Sequence, residues 1–217
     1  MLRELELENN IGKKIILVND CSTDSSVDTI RAYAARYPET SLCLLEHAVN
    51  QGKGAALYTS IRKATGDYVI IQEADLEYDP EEYSVLIKPS MRGFADAAFG
   101  SRFLGGNPHR ILFFWHSIGN NLLAFFSNMV TDLNLTDMEA CYKLFRRDII
   151  QGLKLEENRF GFEPEVTAKV ARVLGVRIYE VGISYYGRTY AEGKKMSRPA
   201  IAIQVKRIIR LALYKPG

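Results

Sequence analysis

The sequence has little of several features that mark whole classes of protein. Its 217 residues include only three cysteines, Cys21, Cys43 and Cys141, which lack the spacing of a metal site and cannot all pair with one another. This pattern favours a reduced compartment. The formal net charge is only +2, which argues against the basic surface that nucleic-acid binding requires, so we expect no nucleic-acid partner.

Long apolar runs and targeting features are also missing. No stretch reaches the roughly 18 consecutive apolar residues of a membrane span. The start of the chain alternates leucine with charged residues, which is unlike a secretory signal. Hydrophobic residues make up 47% of the chain, which is enough to build the core of one large α/β domain. We expect that single domain over residues 1–198, followed by a basic amphipathic helix over 199–217.

Short apolar runs alternate with helical patterns through the first third of the chain. Residues 14–18, 42–46 and 68–71 are predicted strands, and the segments between them have apolar residues at helical spacing. A β-α-β-α-β order predicts a mostly parallel, doubly wound sheet with helices on both faces. Two later runs, 95–100 and 176–184, are predicted to add strands.

Acidic side chains crowd the end of the third predicted strand. Glu73 and Asp75 are two residues apart, so on an extended backbone their carboxylates point the same way. A hard divalent cation would relieve their repulsion, and open α/β sheets bind ligands at this edge. The alternative is a solvated acidic turn, and the pair Asp79-Pro80 has the pattern of a helix N-cap.

Three other segments carry candidate ligand-binding groups. Asp20 follows the first strand, where it can reach a ligand or close a local Asx-turn. Lys53 lies in a Gly-Lys-Gly segment that could approach an anion but lacks the Walker spacing. A loop rich in tyrosine, glycine and cations has the donors to clamp a phosphate, or it is simply a solvated basic loop; its cations are Arg188, Lys194 and Lys195.

For two predicted helices the sequence leaves open which surface they contact. A third predicted helix has two acids in its first turn. The apolar helix over 111–130 is either buried or rests at a membrane interface. The basic helix near the end of the chain either lies on an anionic membrane or packs on the domain. For Glu163 and Glu165, a favourable interaction with the helix dipole is the simpler interpretation.

Together these segments resemble glycosyltransferase family 2, with the GT-A fold, and within it the dolichyl- or polyprenyl-phosphate sugar transferases. The resemblance covers about residues 14–196. It rests on seven motifs in the family's order: residues 18–24, 50–56, 72–80, 100–102, 137–147, 162–165 and 185–195.

The resemblance implies an inverting transferase that uses a UDP- or GDP-sugar donor. Donor-binding roles are implied for Asp20, which would face the base, and for Lys53, Glu73, Asp75 and Arg102. The Glu73-Ala74-Asp75 segment matches the family's Asp-x-Asp motif, so Asp75 and Glu73 would hold Mg²⁺ or Mn²⁺. Asp137 would be the catalytic carboxylate beside the acceptor, and the acceptor phosphate would be bound by Arg188, Lys194 and Lys195.

Other functions remain open at this point. The acceptor is polyprenyl phosphate or, alternatively, a saccharide hydroxyl, and the chain could be a non-catalytic binder of nucleotide sugars. A nucleotidyltransferase would need a glycine-rich loop after an early strand, which is not found. The lipid acceptor implies a cytoplasmic protein held peripherally at the inner face of the membrane, in cell-envelope synthesis.

Two departures from the family pattern have structural consequences. Glu73 stands where the family usually has aspartate, and its longer side chain changes the reach of the carboxylate. No strand with a Pro-x-Tyr-Asn-Glu ending precedes residue 14, so we expect a start that is truncated relative to the family. A missing central strand would leave neighbouring strand edges unpaired, which predicts weakened donor binding and compensation by a homodimer or a rearrangement.

Overall fold

The computed structural model describes residues 11–75, 77–106, 108, 110, 114–187 and 198–212. Six strands are present: β1 Ile15–Asn19, β2 Leu42–Glu46, β3 Tyr68–Ile71, β4 Ala97–Ser101, β5 Lys143–Arg146 and β6 Ile178–Gly182. The helices are α1 Ser26–Arg36, α2 Lys53–Lys63, α3 Tyr83–Met91, α4 Phe114–Thr131, α5 Arg147–Gly152, α6 Phe162–Val170 and α7 Arg198–Ala212. This order confirms the predicted α/β class.

The strands form two sheets. β1 and β2 pair in parallel, with Ile15 opposite Leu42. The second sheet has the order β3-β5-β4-β6, in which β5 runs antiparallel to both of its neighbours while β4 and β6 are parallel. The predicted β-α-β-α-β unit is therefore divided, because β3 belongs to the second sheet. One edge of β1 and one edge of β3 have no strand partner among the described residues.

The core lies on both faces of the four-stranded sheet. All five residues of β4 are buried, because β4 lies inside the sheet between β5 and β6. Phe99 and Phe145 pack with residues of α2, α5 and α6, whereas Ala98 and Leu144 pack with residues of α3. This alternation follows from the two-residue period of a strand, and it places helices on both faces as expected.

The two-stranded sheet is less well covered. Every residue of β1 is only half-buried, and α1 has no buried residue. α2 joins the two parts, since it packs against β1 and against α5. The predicted terminal helix is present as α7, which packs against α4 and α6; the proposed boundary at residue 198 stays a prediction. No helix among the described residues is both long and apolar enough to cross a membrane.

Candidate functional site

The acidic turn after β3 lies beside the start of α2, where Lys53 is the first helical residue. The Lys53 amine donates to Glu163 Oε1 at 2.5 Å and to the Cys141 thiol at 3.1 Å, and it forms an ion pair with Glu73. These side chains come from α2, from the segment before β5, from α6 and from the end of β3. The fold therefore collects an ammonium, a thiol and two carboxylates from four distant segments.

The positive and negative groups of this cluster stabilise one another's charged forms. Burial disfavours the charged form of Lys53, but Glu163, Cys141 and Glu73 outweigh it and raise the pKa of the amine well above its usual value. Burial likewise opposes ionisation of Glu163, yet Lys53 and Lys143 hold the pKa of its carboxyl below the usual value. At neutral pH the cluster thus contains a charged Lys53 ammonium beside a charged Glu163 carboxylate.

Asp75 and Glu77 lie in the turn that follows Glu73. The Asp75 carboxylate is half-buried and accepts the backbone N–H of Glu77 at 3.2 Å. The buried Glu77 carboxylate accepts the hydroxyl of Tyr185 at 2.7 Å, and its carbonyl accepts the N–H of Tyr186 at 2.9 Å. These bonds connect the acidic turn to the first two residues of the predicted basic loop, Tyr185 and Tyr186.

Asp79 has the role that the sequence predicted. Its side chain accepts the N–H of Glu81 at 3.0 Å, and Pro80 begins a short 3-10 helix that leads into α3. Asp79 is thus an N-cap, and the acidic segment divides into a structural acid at its end and the candidate ligands before it.

Asp20 holds the end of β1 to the segment before α2. Its carboxylate accepts the N–H groups of Gln51 and Gly52, at 2.9 and 2.7 Å, and contacts His47 Nδ1 at 2.8 Å. Burial opposes its ionisation, but the Gln51 N–H and the His47 contact outweigh this and lower the pKa of Asp20. Both carboxylate oxygens therefore have partners, and contact with a nucleotide base stays a prediction.

The two glycines that flank Lys53 allow the start of α2 to pack closely against another segment of backbone. A Cβ on Gly52 would lie 2.5 Å from Asn158 O, and one on Gly54 only 1.9 Å from Glu157 O. Gly52 also has a φ of +99°, which disfavours other residues. The sequence suggested that these glycines let the backbone approach an anion. The described contacts show close approach to the backbone of residues 157–158.

Arg102 and Asp137 form a buried ion pair. The Arg102 side chain donates from Nε and Nη2 to the two oxygens of Asp137, at 2.6 and 2.7 Å, and its backbone N–H adds a third bond at 3.1 Å. Burial opposes ionisation of Asp137, but Arg102 overcomes it and lowers the pKa of the carboxyl. The guanidinium also lies 5.2 Å from the ring centre of Tyr185. Each side chain of this pair therefore has its charge matched by the other. The catalytic role of Asp137 and the donor-binding role of Arg102 stay predictions.

Two site acids were not recognised from the sequence. Glu163 was interpreted, like Glu165, as an acid in the first turn of a helix. Glu165 does have a structural role, because it accepts the N–H groups of residues 156 and 157 and pairs with Lys169 at 2.7 Å. No local signal separates Glu163 from Glu165.

The other missed acid is Glu139. Burial and the nearby Glu163 raise the pKa of the Glu139 carboxyl to about 7. It contacts Gln204 of α7 at 3.2 Å, and its Oε1 is buried without a hydrogen-bond partner.

The structure thus brings only some of the predicted site residues into contact with one another. Lys53 and Glu73 are in contact, and Asp75 follows in the next turn; Asp20 lies at the end of β1, and Arg102 pairs with Asp137. The predicted phosphate-binding residues, Arg188, Lys194 and Lys195, lie outside the described residues.

The acidic residues near this turn differ in how well they suit the implied divalent cation. Glu73, Cys141 and Glu163 each offer a ligand atom within 4.8 Å of the others, but the Lys53 ammonium contacts all three. A thiol in this group also suits Mg²⁺ poorly. Asp75 offers oxygen atoms from a half-buried turn, which is the chemistry that Mg²⁺ and Mn²⁺ prefer. The residues therefore fit a cation at Asp75 better than one at Glu73.

Comparisons with known proteins agree with this architecture. A dolichyl-phosphate beta-glucosyltransferase of Trichomonas vaginalis is 27% identical over 96% of this chain and 64% of its own length. An undecaprenyl-phosphate mannosyltransferase of Micrococcus luteus is 28% identical over 92% of this chain and 82% of its own length. The chain thus spans less than two thirds of the Trichomonas vaginalis relative.

Solved structures show the same fold. Glucosyl-3-phosphoglycerate synthase from Mycobacterium tuberculosis, in complex with Mn²⁺, UDP and glucosyl-3-phosphoglycerate, superposes with a TM-score of 0.66 at 17% identity, covering 93% of this chain and 68% of that one. This likeness confirms the predicted GT-A fold. The model of Glycosyl transferase family 2 matches residues 4–153, well over half of the chain. The chain therefore belongs to glycosyltransferase family 2.

Proposed function

We propose that this chain catalyses transfer of a sugar from a UDP- or GDP-sugar to a polyprenyl phosphate, with inversion at the anomeric carbon and with Mg²⁺ or Mn²⁺. The observation that carries the proposal is the group of charged residues at the end of β3 and the start of α2 in a family 2 fold. The two curated relatives named above are described as polyprenyl-phosphate sugar transferases, which supports this acceptor class.

Each step of the reaction has a candidate among the residues of this chain. The acceptor phosphate oxygen attacks the anomeric carbon, and the bond from that carbon to the diphosphate breaks on the opposite face. Asp75 would hold the cation, which when bound offsets the negative charge of the departing nucleoside diphosphate. Lys53 keeps Glu73 and Glu163 in place beside that turn. Asp20, which binds the backbone N–H groups of Gln51 and Gly52, is the proposed residue that faces the base. Arg188, Lys194 and Lys195 are the proposed ligands of the acceptor phosphate.

The state of Asp137 favours a phosphate acceptor over a hydroxyl. A hydroxyl acceptor needs a carboxylate that takes its proton, and both oxygens of Asp137 already accept bonds from Arg102. Arg102 also lowers the pKa of Asp137, although burial opposes it, so the carboxylate is a weak base. A phosphate is ionised before it attacks and needs no such base. Asp137 is then a positioning residue that holds the end of β4 to the segment before β5.

Donor binding is tested by calorimetric titration with UDP- and GDP-sugars, with and without Mn²⁺. We expect one of the two nucleotides to bind more tightly when Mn²⁺ is present. The Asp75→Ala variant should lose at least about tenfold in this metal-dependent affinity, since even indirect support of a metal ligand contributes that much. Glu81→Ala, which removes an exposed acid from the same segment, is the matched control and should bind normally. Equal affinity in the two variants would remove Asp75 from its proposed role.

Transfer is tested separately with radiolabelled donor and a polyprenyl phosphate in detergent. A labelled lipid product supports the proposed acceptor. A labelled product formed only with a saccharide would favour the hydroxyl alternative, and donor binding without any transfer would indicate a non-catalytic binder. We propose a cytoplasmic, peripheral location at the inner face of the membrane, because the proposed acceptor is a membrane lipid.

A further inference from the structure

Three side chains beside Lys53 have the arrangement of a metal site. The ligand atoms of Glu73, Cys141 and Glu163, the three-ligand group, lie within 4.8 Å of one another. They come from the chain after β3, the chain before β5 and the start of α6. Cys141 and Glu163 are buried and Glu73 is half-buried, so their ligand atoms lie largely away from solvent. Two carboxylates with one thiol suit a borderline-soft divalent ion, such as Zn²⁺ or Co²⁺, better than Mg²⁺.

The amine of Lys53 lies among these three ligand atoms. It donates to Glu163 Oε1 at 2.5 Å and to Cys141 Sγ at 3.1 Å, and it forms an ion pair with Glu73 Oε1. An ammonium has three N–H donors, so each of them has an acceptor here. Burial disfavours the charged amine, but Glu163, Cys141 and Glu73 outweigh it and raise the pKa of Lys53 well above its usual value. The amine is therefore charged at neutral pH and stands where a metal ion would.

A divalent ion bound to the three-ligand group would have to displace this ammonium. Displacement would break the ion pair with Glu163, whose carboxylate is buried, and would bring two positive charges close together away from water. The backbone that carries the amine is also fixed, because Gly54 packs against Glu157 O at the start of α2. The three-ligand group thus favours its own ammonium over an external ion.

Asp75 does not belong to the three-ligand group. Its carboxylate is half-buried in the turn and accepts the N–H of Glu77 at 3.2 Å. Mg²⁺ is usually bound by one or two carboxylates together with substrate phosphates, so one acid near the surface is sufficient for such an ion. The acids at positions 73 and 75 therefore differ in what surrounds them, although they are only two residues apart.

We propose that the Lys53 ammonium is the cation of the three-ligand group, that it excludes a divalent ion from this group, and that it thereby confines the divalent ion to Asp75. Glu73 then anchors the amine and is not a metal ligand. The inference rests on the proposed function, since a divalent ion at Asp75 is part of that proposal. It goes further by naming the residue that determines where the ion binds.

The first test measures Mn²⁺ binding to the full chain by electron paramagnetic resonance, in the presence of UDP or of GDP. Glu73→Gln removes the charge of the side chain and keeps its size. It should change the Mn²⁺ affinity by less than the roughly tenfold that support of a metal ligand contributes, whereas Asp75→Asn should lower the affinity by more than this. An equal loss in the two variants would overturn the inference.

The second test uses Co²⁺ alone and asks whether the three-ligand group binds a metal once the amine is absent. Lys53→Met should bind Co²⁺ with the near-ultraviolet absorption of a cobalt–thiolate bond, because metal binding deprotonates a thiol. The unmodified chain should lack this absorption. Adding Cys141→Ser to Lys53→Met should abolish it, which separates Cys141 from the free thiols of Cys21 and Cys43. Circular dichroism shows whether each variant folds.

Two outcomes of the cobalt test would also overturn the inference. One is a cobalt–thiolate band in the unmodified chain that Cys141→Ser removes, since a metal would then displace the amine. The other is a folded Lys53→Met variant without the band. If Lys53→Met does not fold, the unmodified chain and Glu73→Gln decide the matter by themselves. Failure of the proposed function is distinct: the unmodified chain then binds no Mn²⁺ with either nucleotide and transfers no sugar, while the cobalt measurements still report on Lys53.

Discussion

Ionisation of the buried Glu139 carboxyl should lower the stability of the fold. This carboxyl faces Gln204 on α7, Glu163 on α6, Lys143 on β5 and the guanidinium of Arg102. Glu139 Oε1 and Gln204 Oε1 are both buried without a hydrogen-bond partner. The Gln204 amide nitrogen donates to Glu139 Oε2 at 3.2 Å, and a proton on Glu139 supplies the donor that the two unpaired oxygens lack. Burial and the two unpaired oxygens therefore favour the neutral acid, whereas the hydrogen bond from Gln204 favours the carboxylate.

Glu139→Gln should consequently change the pH dependence of stability. Burial raises the pKa of the folded carboxyl to about 7 from the ordinary 4.5, so the folded state binds more protons between these values and its stability falls as pH rises through this window. The variant removes the ionisation and should be more stable than the unmodified chain at pH 8, by up to about 3 kcal/mol, and similar to it at pH 4. Urea unfolding at both pH values measures the difference. A constant difference between the two proteins across this range would contradict the assignment.

At the scale of an element, α2 depends on close contact between its amino end and the chain before α6. Ala55 donates its N–H to Asn158 O at 3.1 Å, and a Cβ on Gly54 would overlap Glu157 O. This contact holds Lys53 in the charged cluster, so backbone packing and the arrangement of the site depend on the same glycine.

Gly54→Ala should therefore destabilise the protein even though alanine favours helices by about 1 kcal/mol. The overlap forces the two backbones apart, and we expect a net loss of about 2 kcal/mol or more. Gly152→Ala, in α5, meets nothing within 4 Å and is the matched control. Denaturant midpoints compare the two variants. If Gly54→Ala were as stable as Gly152→Ala, the close approach would not be required.

At the scale of the whole molecule, burial is distributed unevenly between the two sheets. β4 is completely buried, whereas β1 is half-buried along its length and α1 has no buried residue. Local opening costs less where little apolar surface is buried. Native-state hydrogen exchange should show amides of α1 and β1 exchanging about a hundredfold faster than those of β4. Equal protection in the two parts would show that the first sheet is covered in solution by something outside the described residues.

The free edges of β1 and β3 are the edges at which the predicted homodimer, or alternatively a rearrangement, would compensate for the missing strand. Unpaired strand edges can pair with another chain, and the described strands leave one such edge on each of these two. Light scattering after size exclusion should give twice the 24.5 kDa mass of the chain, and Leu122→Glu should not change it, because that residue lies on α4. A monomer at all concentrations would contradict this expectation.

Local signals in the sequence determined the elements and part of the site. Apolar runs of strand length and helical spacing correctly predicted β1, β2, β3 and the helices between them, since these patterns depend only on neighbouring residues. The Asp79-Pro80 pair correctly predicted a cap for the same reason. Motif order identified the family, because it compares whole segments and does not require contacts between them.

Only the tertiary structure decided which side chains meet. It separated Glu163 from Glu165 within one helical turn, paired Arg102 with an acid 35 positions away, and divided the predicted sheet after β2. It also showed that one face of α4 is buried and the other exposed. The physical reason is that hydrophobic spacing specifies the face of an element that is buried, whereas the partner it meets depends on packing among segments far apart in the chain.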